Sequence, residues 1–153
     1  MGLLGTDTNK KLRRLLRFTQ NSAGGLMTTE YLYLKADATV GDGFNKIRDN
    51  IDFPGTIFFL YIVDKDHKYL GTTSLRRFFT KPPHTPLIET CYPDNLRVYT
   101  DDSVEHVAIM LERHKSSSIP VLSHQGVLQG IITIDDVMEV LISMVWGKYR
   151  EKL

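Results

Sequence analysis

Cysteine is nearly missing: Cys91 stands alone among 153 residues. An internal disulfide is therefore excluded, and a reducing compartment fits. Long apolar runs are missing too. The most apolar stretch, Ile57 to Val63, is about a third of the roughly 20 residues that a membrane-spanning helix needs. Met1 to Leu4 lacks the charged start and apolar core of a secretory signal. The chain has no excess of one charge, and a formal net charge of +1 predicts no general attraction to nucleic acid or to acidic membranes. No GxSxG, Walker A, CxxC or HExxH pattern occurs. His106 and His114 are eight apart on one expected helix, too far for the i,i+4 pairing of a helical metal site. His67, His84 and His124 fall in expected turns or a linker, and Cys91 reads as small core filler. These absences give no support for catalysis.

The hydrophobic content of 42% is ordinary for a folded domain and too high for a disordered one. Charge is unevenly spread: Lys10, Lys11, Arg13, Arg14 and Arg17 stand against Asp7 alone at the start of the chain. A basic N-terminal helix is expected within residues 1–22, near Lys10 to Phe18. Leu12, Leu15 and Leu16 form its weak apolar side, which suits a solvated helix packed on its neighbours better than one bound to lipid or nucleic acid.

The strongest positive signal is an internal repeat. Leu70 to Phe78 lines up with Gln129 to Val137, so that Gly71 matches Gly130 at an offset of 59. Upstream, Met27 matches Cys91, Leu34 matches Val98 and Val40 matches Val104, all at an offset of 64. The five-residue difference places a short insertion in the first unit, within Asp49 to Thr56, where Pro54-Gly55 is a turn signal. Each unit reads as strand, helix, strand, strand, helix, an α/β (α+β) pattern.

The first unit, residues 23–80, has expected strands at Tyr31–Leu34, Phe58–Val63 and Tyr69–Ser74. Val40, Phe44, Ile47 and Ile51 form its helical stripe, with Thr39 as cap. Its last helix, Leu75–Phe79, is cut short by Lys81-Pro82-Pro83, and Lys81–Pro86 is the linker. The second unit, residues 87–145, has expected strands at Leu96–Tyr99, Ile119–Leu122 and Val127–Thr133. Its helical stripe is Val104, Val107, Ala108 and Leu111. Asp102 or Ser103 caps it, and Asp102 with Glu105 has capping-box spacing. Val137, Val140, Leu141, Met144 and Val145 share a face of the last helix, and residues 146–153 form a tail.

A repeated β-α-β-β-α unit of this size, with a Gly-x-x-Ser/Thr step into its last helix, resembles the CBS domain. The resemblance implies two units packed pseudo-symmetrically, whose cleft commonly binds adenine nucleotides. A narrower resemblance is to the cytosolic regulatory region of MgtE-type magnesium transporters. It rests on Ser22-Ala-Gly-Gly-Leu-Met-Thr-Thr-Glu30, Phe59 to Asp64, Gly71 to Arg76 and Gly130 to Val137. Leu12 to Phe18 is similar to the end of that family's preceding helical domain.

Within such a unit Gly130-x-x-Thr133-x-x-Asp136 is the candidate small-molecule site. Gly130 allows close backbone approach, the Thr133 hydroxyl can bond a phosphate oxygen, and the following helix start favours an anion. The Asp136 carboxylate can accept two hydrogen bonds from a ribose diol. Ile119, Pro120 and Val121 are expected to give a base its apolar wall and backbone partners. The same residues also suit plain helix capping by Thr133 and Asp135. The ligands in view are ATP, ADP or AMP. The first unit departs from the pattern, with Arg77 where the acid should stand, and Arg76 and Arg77 read as surface residues.

The MgtE resemblance also implies a Mg²⁺ sensor, and Glu105, Asp136 and Glu139 are the acids that correspond. The stretch after the second unit is acidic in that family, whereas here it runs Ile142 to Arg150 without an acid. The expected partners are a second copy of the chain, in a homodimer, and a transporter's membrane domain outside this chain, at the cytoplasmic face of the membrane. The alternative is a free-standing adenine-nucleotide-binding CBS pair that regulates another partner.

Overall fold

The computed structural model describes residues 21–53 and 58–151. The expected basic helix and the Pro54-Gly55 turn lie outside the described residues. A short helix α1 (Ala23–Leu26) comes first. It is followed by β1 (Tyr33–Lys35), α2 (Val40–Asp49), β2 (Phe59–Val63), β3 (Tyr69–Ser74) and α3 (Leu75–Phe78). A 3-10 turn at Leu87–Thr90 leads to β4 (Val98–Tyr99), α4 (Val104–Arg113), β5 (Ser118–Leu122), β6 (Leu128–Thr133) and α5 (Ile134–Glu151). The expected order of two β-α-β-β-α repeats is present.

Each repeat builds a three-stranded sheet, ordered β1-β2-β3 and β4-β5-β6. β1 runs parallel to β2, with Tyr33 opposite Tyr61, so α2 serves as the crossover that parallel strands require. β2 and β3 form an antiparallel hairpin. At its turn the Asp64 carboxylate accepts from the backbone of Asp66 and Lys68, each at 2.8 Å.

Helix ends follow local chemistry. Thr39 and Asp42 close a reciprocal capping box on α2. Its far end comes at Asn50, whose side-chain amide bonds the Lys46 carbonyl at 2.8 Å. The helix therefore stops before Ile51, which is 64% exposed rather than part of the core stripe. At α4 the cap is Ser103, which accepts from the His106 amide at 3.1 Å. Asp102 instead accepts from the Tyr99 amide at 2.7 Å. On α5, Val137 is buried and Val140 and Leu141 pack on the core. Val145 does not share that face and is exposed beside Trp146, since the core ends before the helix does.

The described residues divide into two compact units that interleave along the chain. One gathers residues 21–28, Leu96–Val121 and the chain from Ile131 onward; the other gathers Thr29–Asn95 with Leu122–Gly130. The core of the first-named unit contains Ala23, Met27, Val98, Val107, Ile119 and Ile132. The other is built on Leu32, Val40, Leu60, Ile62, Phe78 and Leu87. In the latter, Phe44 and Phe78 meet edge to face at 5.2 Å.

The interleaving has a local cause: the segment leading into each repeat pairs with the last strand of the other. Thr28 exchanges both backbone hydrogen bonds with Ile131 of β6. Correspondingly, the Tyr92 amide donates to the Thr72 carbonyl of β3 at 2.8 Å. Ser22-Ala-Gly-Gly also seals the approach to α4: Ala23 and Gly24 donate to the carbonyls of Asp102 and Thr100, and Val104 donates to Asn21. Lys81–Pro86 is likewise engaged, with Val40 and Gly41 donating to the Thr85 and Pro83 carbonyls. Those bonds satisfy amides that a helix start leaves open.

Candidate functional site

The Gly-x-x-Ser/Thr step occurs once in each repeat, and the two copies differ in what holds them. In the second repeat Gly130 is buried within β6, and Thr133 ends that strand half-buried. Asp136 is the third residue of α5, also half-buried. The Thr133 hydroxyl donates to the Asp136 Oδ2 at 3.1 Å. That bond fixes the carboxylate while using only part of its acceptor capacity, so a diol can still be received. The Ile134 amide is spent on the Ser117 carbonyl at 2.9 Å. Ile119, Pro120 and Val121 are all buried in β5. Ile119 and Val121 have no accessible surface and belong to the apolar core, so they support the strand from behind.

Glu105 is exposed in the first turn of α4, and Glu139 is exposed on α5. Among the described residues no three His, Cys, Asp or Glu side chains gather into a group able to hold a metal. Glu105, Asp136 and Glu139 thus supply separate carboxylates and no enclosed cage.

In the first repeat the equivalent step is filled by the chain itself. The Thr73 hydroxyl meets the Thr90 hydroxyl at 2.7 Å and the Thr90 carbonyl at 3.1 Å, all buried. Ser74 Oγ meets the Tyr92 hydroxyl at 2.7 Å. Arg77, expected as a plain surface residue, donates from Nε to the Thr90 carbonyl and from Nη2 to the Cys91 carbonyl, both at 3.0 Å. Its guanidinium lies 4.9 Å from the centre of the Tyr92 ring. Gly71 has no room for a side chain, because a Cβ there would come 2.8 Å from the Cys91 Sγ. Burial pushes the Cys91 thiol up to about 11, despite the opposing charge of Arg77. Comparison of the repeats at both offsets could have flagged this network. Thr73 matches Ile132, and Thr90 matches Leu26, so a hydroxyl pair replaces an apolar pair.

A further cluster has no counterpart in the motif. His67, at a positive φ of 63°, shares a hydrogen bond of 2.8 Å between its Nε2 and the Tyr31 hydroxyl. It also meets the Tyr33 ring edge-on at 4.7 Å. Burial, helped by the Lys35 charge and opposed by Asp64, lowers its pKa.

Between α4 and α5 runs a groove of about 510 Å³ lined by Ala108, Leu111, Ile134, Val137, Met138 and Leu141 among others. Ile134, Met138, Ile142, Val145 and Trp146 leave large apolar surface exposed along α5. Among the described residues no helix is long and apolar enough to cross a membrane.

One group recurs in the comparisons with known proteins. The family model for the CBS domain matches residues 76–143. The magnesium transporter MgtE of Thermus thermophilus is 34% identical over 139 residues, which is 91% of this chain and 31% of that protein. The Bacillus subtilis magnesium transporter MgtE is 28% identical over 88% of this chain and 30% of its own length. The chain therefore spans about a third of the length of these relatives. Among solved structures, the cytosolic domain of the Mg²⁺ channel MgtE in complex with ATP superposes with a TM-score of 0.84. It is 33% identical, covering 91% of this chain and 56% of that one.

Proposed function

Because the chain is a tandem pair of CBS domains resembling the cytosolic regulatory region of MgtE-type magnesium transporters, we propose that it senses a small ligand and gates a transporter without catalysing a reaction. The functional repeats proposed are residues 23–80 and 87–145. The ligand is an adenine nucleotide taken at the second repeat. There Asp136 receives the ribose diol, Gly130 and Thr133 border the phosphates, and the backbone of Ile119–Val121 flanks the base. The Thr133–Asp136 hydrogen bond is the observation that carries this choice, because it pre-orients an acceptor that the first repeat replaces with Arg77. Similarity to an ATP-bound cytosolic domain supports the ligand class.

A second ligand, Mg²⁺, follows from the same relatives. Glu105, Asp136 and Glu139 would hold it while it keeps most of its waters, with the shell completed by another chain or by the transporter's membrane domain. That membrane domain lies outside this chain, and the module works at the cytoplasmic face. The exposed apolar residues of α5 support a homodimer formed through that helix, and sedimentation equilibrium at tens of micromolar should give a dimer mass. Signalling needs a ligand that prefers one arrangement of the assembly, since only differential affinity shifts an equilibrium.

Titration calorimetry tests the nucleotide reading. Asp136→Ala should cost about ten- to a hundredfold in ATP affinity, the worth of a charge-assisted hydrogen-bond pair, and an unchanged titration would reject the assignment. For Mg²⁺, linkage at ten times the dissociation constant gives about 1.4 kcal/mol, a few degrees of melting temperature. Replacing Glu105 and Glu139 together should remove that shift at constant ionic strength.

A further inference from the structure

We infer that Arg77 is the chain's own occupant of the first-repeat step, a clasp that binds the lead-in segment Thr90–Tyr92 to β3 and closes this copy of the motif to nucleotides. Six contacts converge there. The planar guanidinium holds two successive carbonyls, Thr90 and Cys91, at 3.0 Å each. It also covers the Tyr92 ring. That ring's hydroxyl engages Ser74, the residue matching Thr133. The backbone of Tyr92 is tied to Thr72, and the Cys91 sulfur fills the space over Gly71. A phosphate approaching Ser74 would meet a hydroxyl already paired, and a ribose would find a cation where the second repeat offers a carboxylate. Arginine suits the clasp because its fork can serve two carbonyls and stack at once, which an ammonium cannot do.

One nucleotide per chain is the consequence, and the second repeat is its site. That half of the inference rests on the function proposed above, whereas the clasp itself does not. Two measurements separate them. In the unliganded protein, hydrogen exchange at the Tyr92 amide should quicken by about ten- to a hundredfold in Arg77→Ala, as the clasp's charge-assisted bonds are lost. Arg77→Lys should not restore protection. Unchanged exchange in Arg77→Ala, or full rescue by lysine, would overturn the clasp. In calorimetry with ATP, the wild type should bind one equivalent per chain, Arg77→Ala should bind as the wild type does, and Asp136→Ala should lose about ten- to a hundredfold in affinity with no second, unaffected site. Two equivalents in the wild type, or an ATP affinity unchanged in Asp136→Ala and lost in Arg77→Ala, would overturn the closed first repeat. A wild type that takes up no ATP would remove the second-repeat reading and leave the exchange result to decide the clasp.

Discussion

The two repeats share a topology and differ in how the strand before the last helix is tied to the segment that crosses it. On β3 the tie is polar: Thr73 to Thr90, Ser74 to Tyr92, and Arg77 to two carbonyls. On β6 the matching positions are apolar, with Ile132 fully buried and Leu26 packed against the same core. There Thr133 and Asp136 bond each other. Backbone pairing is alike in both, Tyr92 to Thr72 and Thr28 to Ile131. On the function proposed above, the difference teaches that one fold can use the same step as a joint in one repeat and as a receptor in the other. A step whose polar groups are consumed by its own chain is a joint. On the proposed reading, a step whose core is sealed by apolar side chains keeps its polar groups for a ligand.

The largest effect expected from crossing the two designs is in Ile132→Thr. It buries a hydroxyl in the core that Leu26 packs against, with no Thr90 equivalent to receive it, and removes packed atoms. Together these should cost about 2–4 kcal/mol of unfolding free energy, read by urea titration. Adding Leu26→Thr should recover part of that loss by supplying the missing partner. Failure to recover any would mean that the two designs are not interchangeable parts.

Next comes Gly71→Ala, which presses a methyl group against the Cys91 sulfur and should cost about 1–3 kcal/mol by overpacking. Cys91→Ala in the same background should relieve most of it, though a Cβ at 71 would still stand 3.1 Å from the Cys91 Cβ. Additivity of the two changes would deny the contact. Thr73→Val should be milder, at about 1 kcal/mol, because a single hydroxyl proton serves both Thr90 oxygens. Thr90 retains its bond to the Leu87 carbonyl at 2.6 Å.

Smallest is a pH effect confined to the unit that holds the first repeat. The pKa of His67 is lowered by burial first and by Lys35 second. The unfolded chain therefore takes up the proton more readily. The stabilisation is full above the ordinary value of 6.5 and is lost as pH falls through the lowered folded value. Lys35, Asp64, Tyr31 and Tyr33 are the titratable groups around the ring. His67→Asn, which tolerates the positive φ, should flatten the fall in melting temperature between about pH 7.5 and pH 5. A fall as steep as in the wild type would assign the effect elsewhere.

Much of this was legible in the chain because it was local. The 3.6-residue period marked α2 and α4, β-rich segments marked β2, β3, β5 and β6, and the offsets of 59 and 64 exposed the repeat. Tyr69–Ser74 was bounded to the residue. Helix ends depend on side-chain bonds that no period marks. Asn50 ends α2 through a side-chain bond, and Ser103 wins the α4 cap because Asp102 is drawn to Tyr99. The crossing of the lead-in segments had no local signature, since Thr28 meets Ile131 across most of the chain. Arg77 was visible as a departure from the motif, but its three partners come from the linker side, and no periodicity announces them.

The most direct test of the central claim follows backbone amide shifts by NMR while ATP is added. The account predicts shifts concentrated at Gly130, Thr133 and Asp136, with Gly71, Ser74 and Arg77 unmoved. Shifts concentrated at Gly71, Ser74 and Arg77, with the second repeat silent, would contradict it.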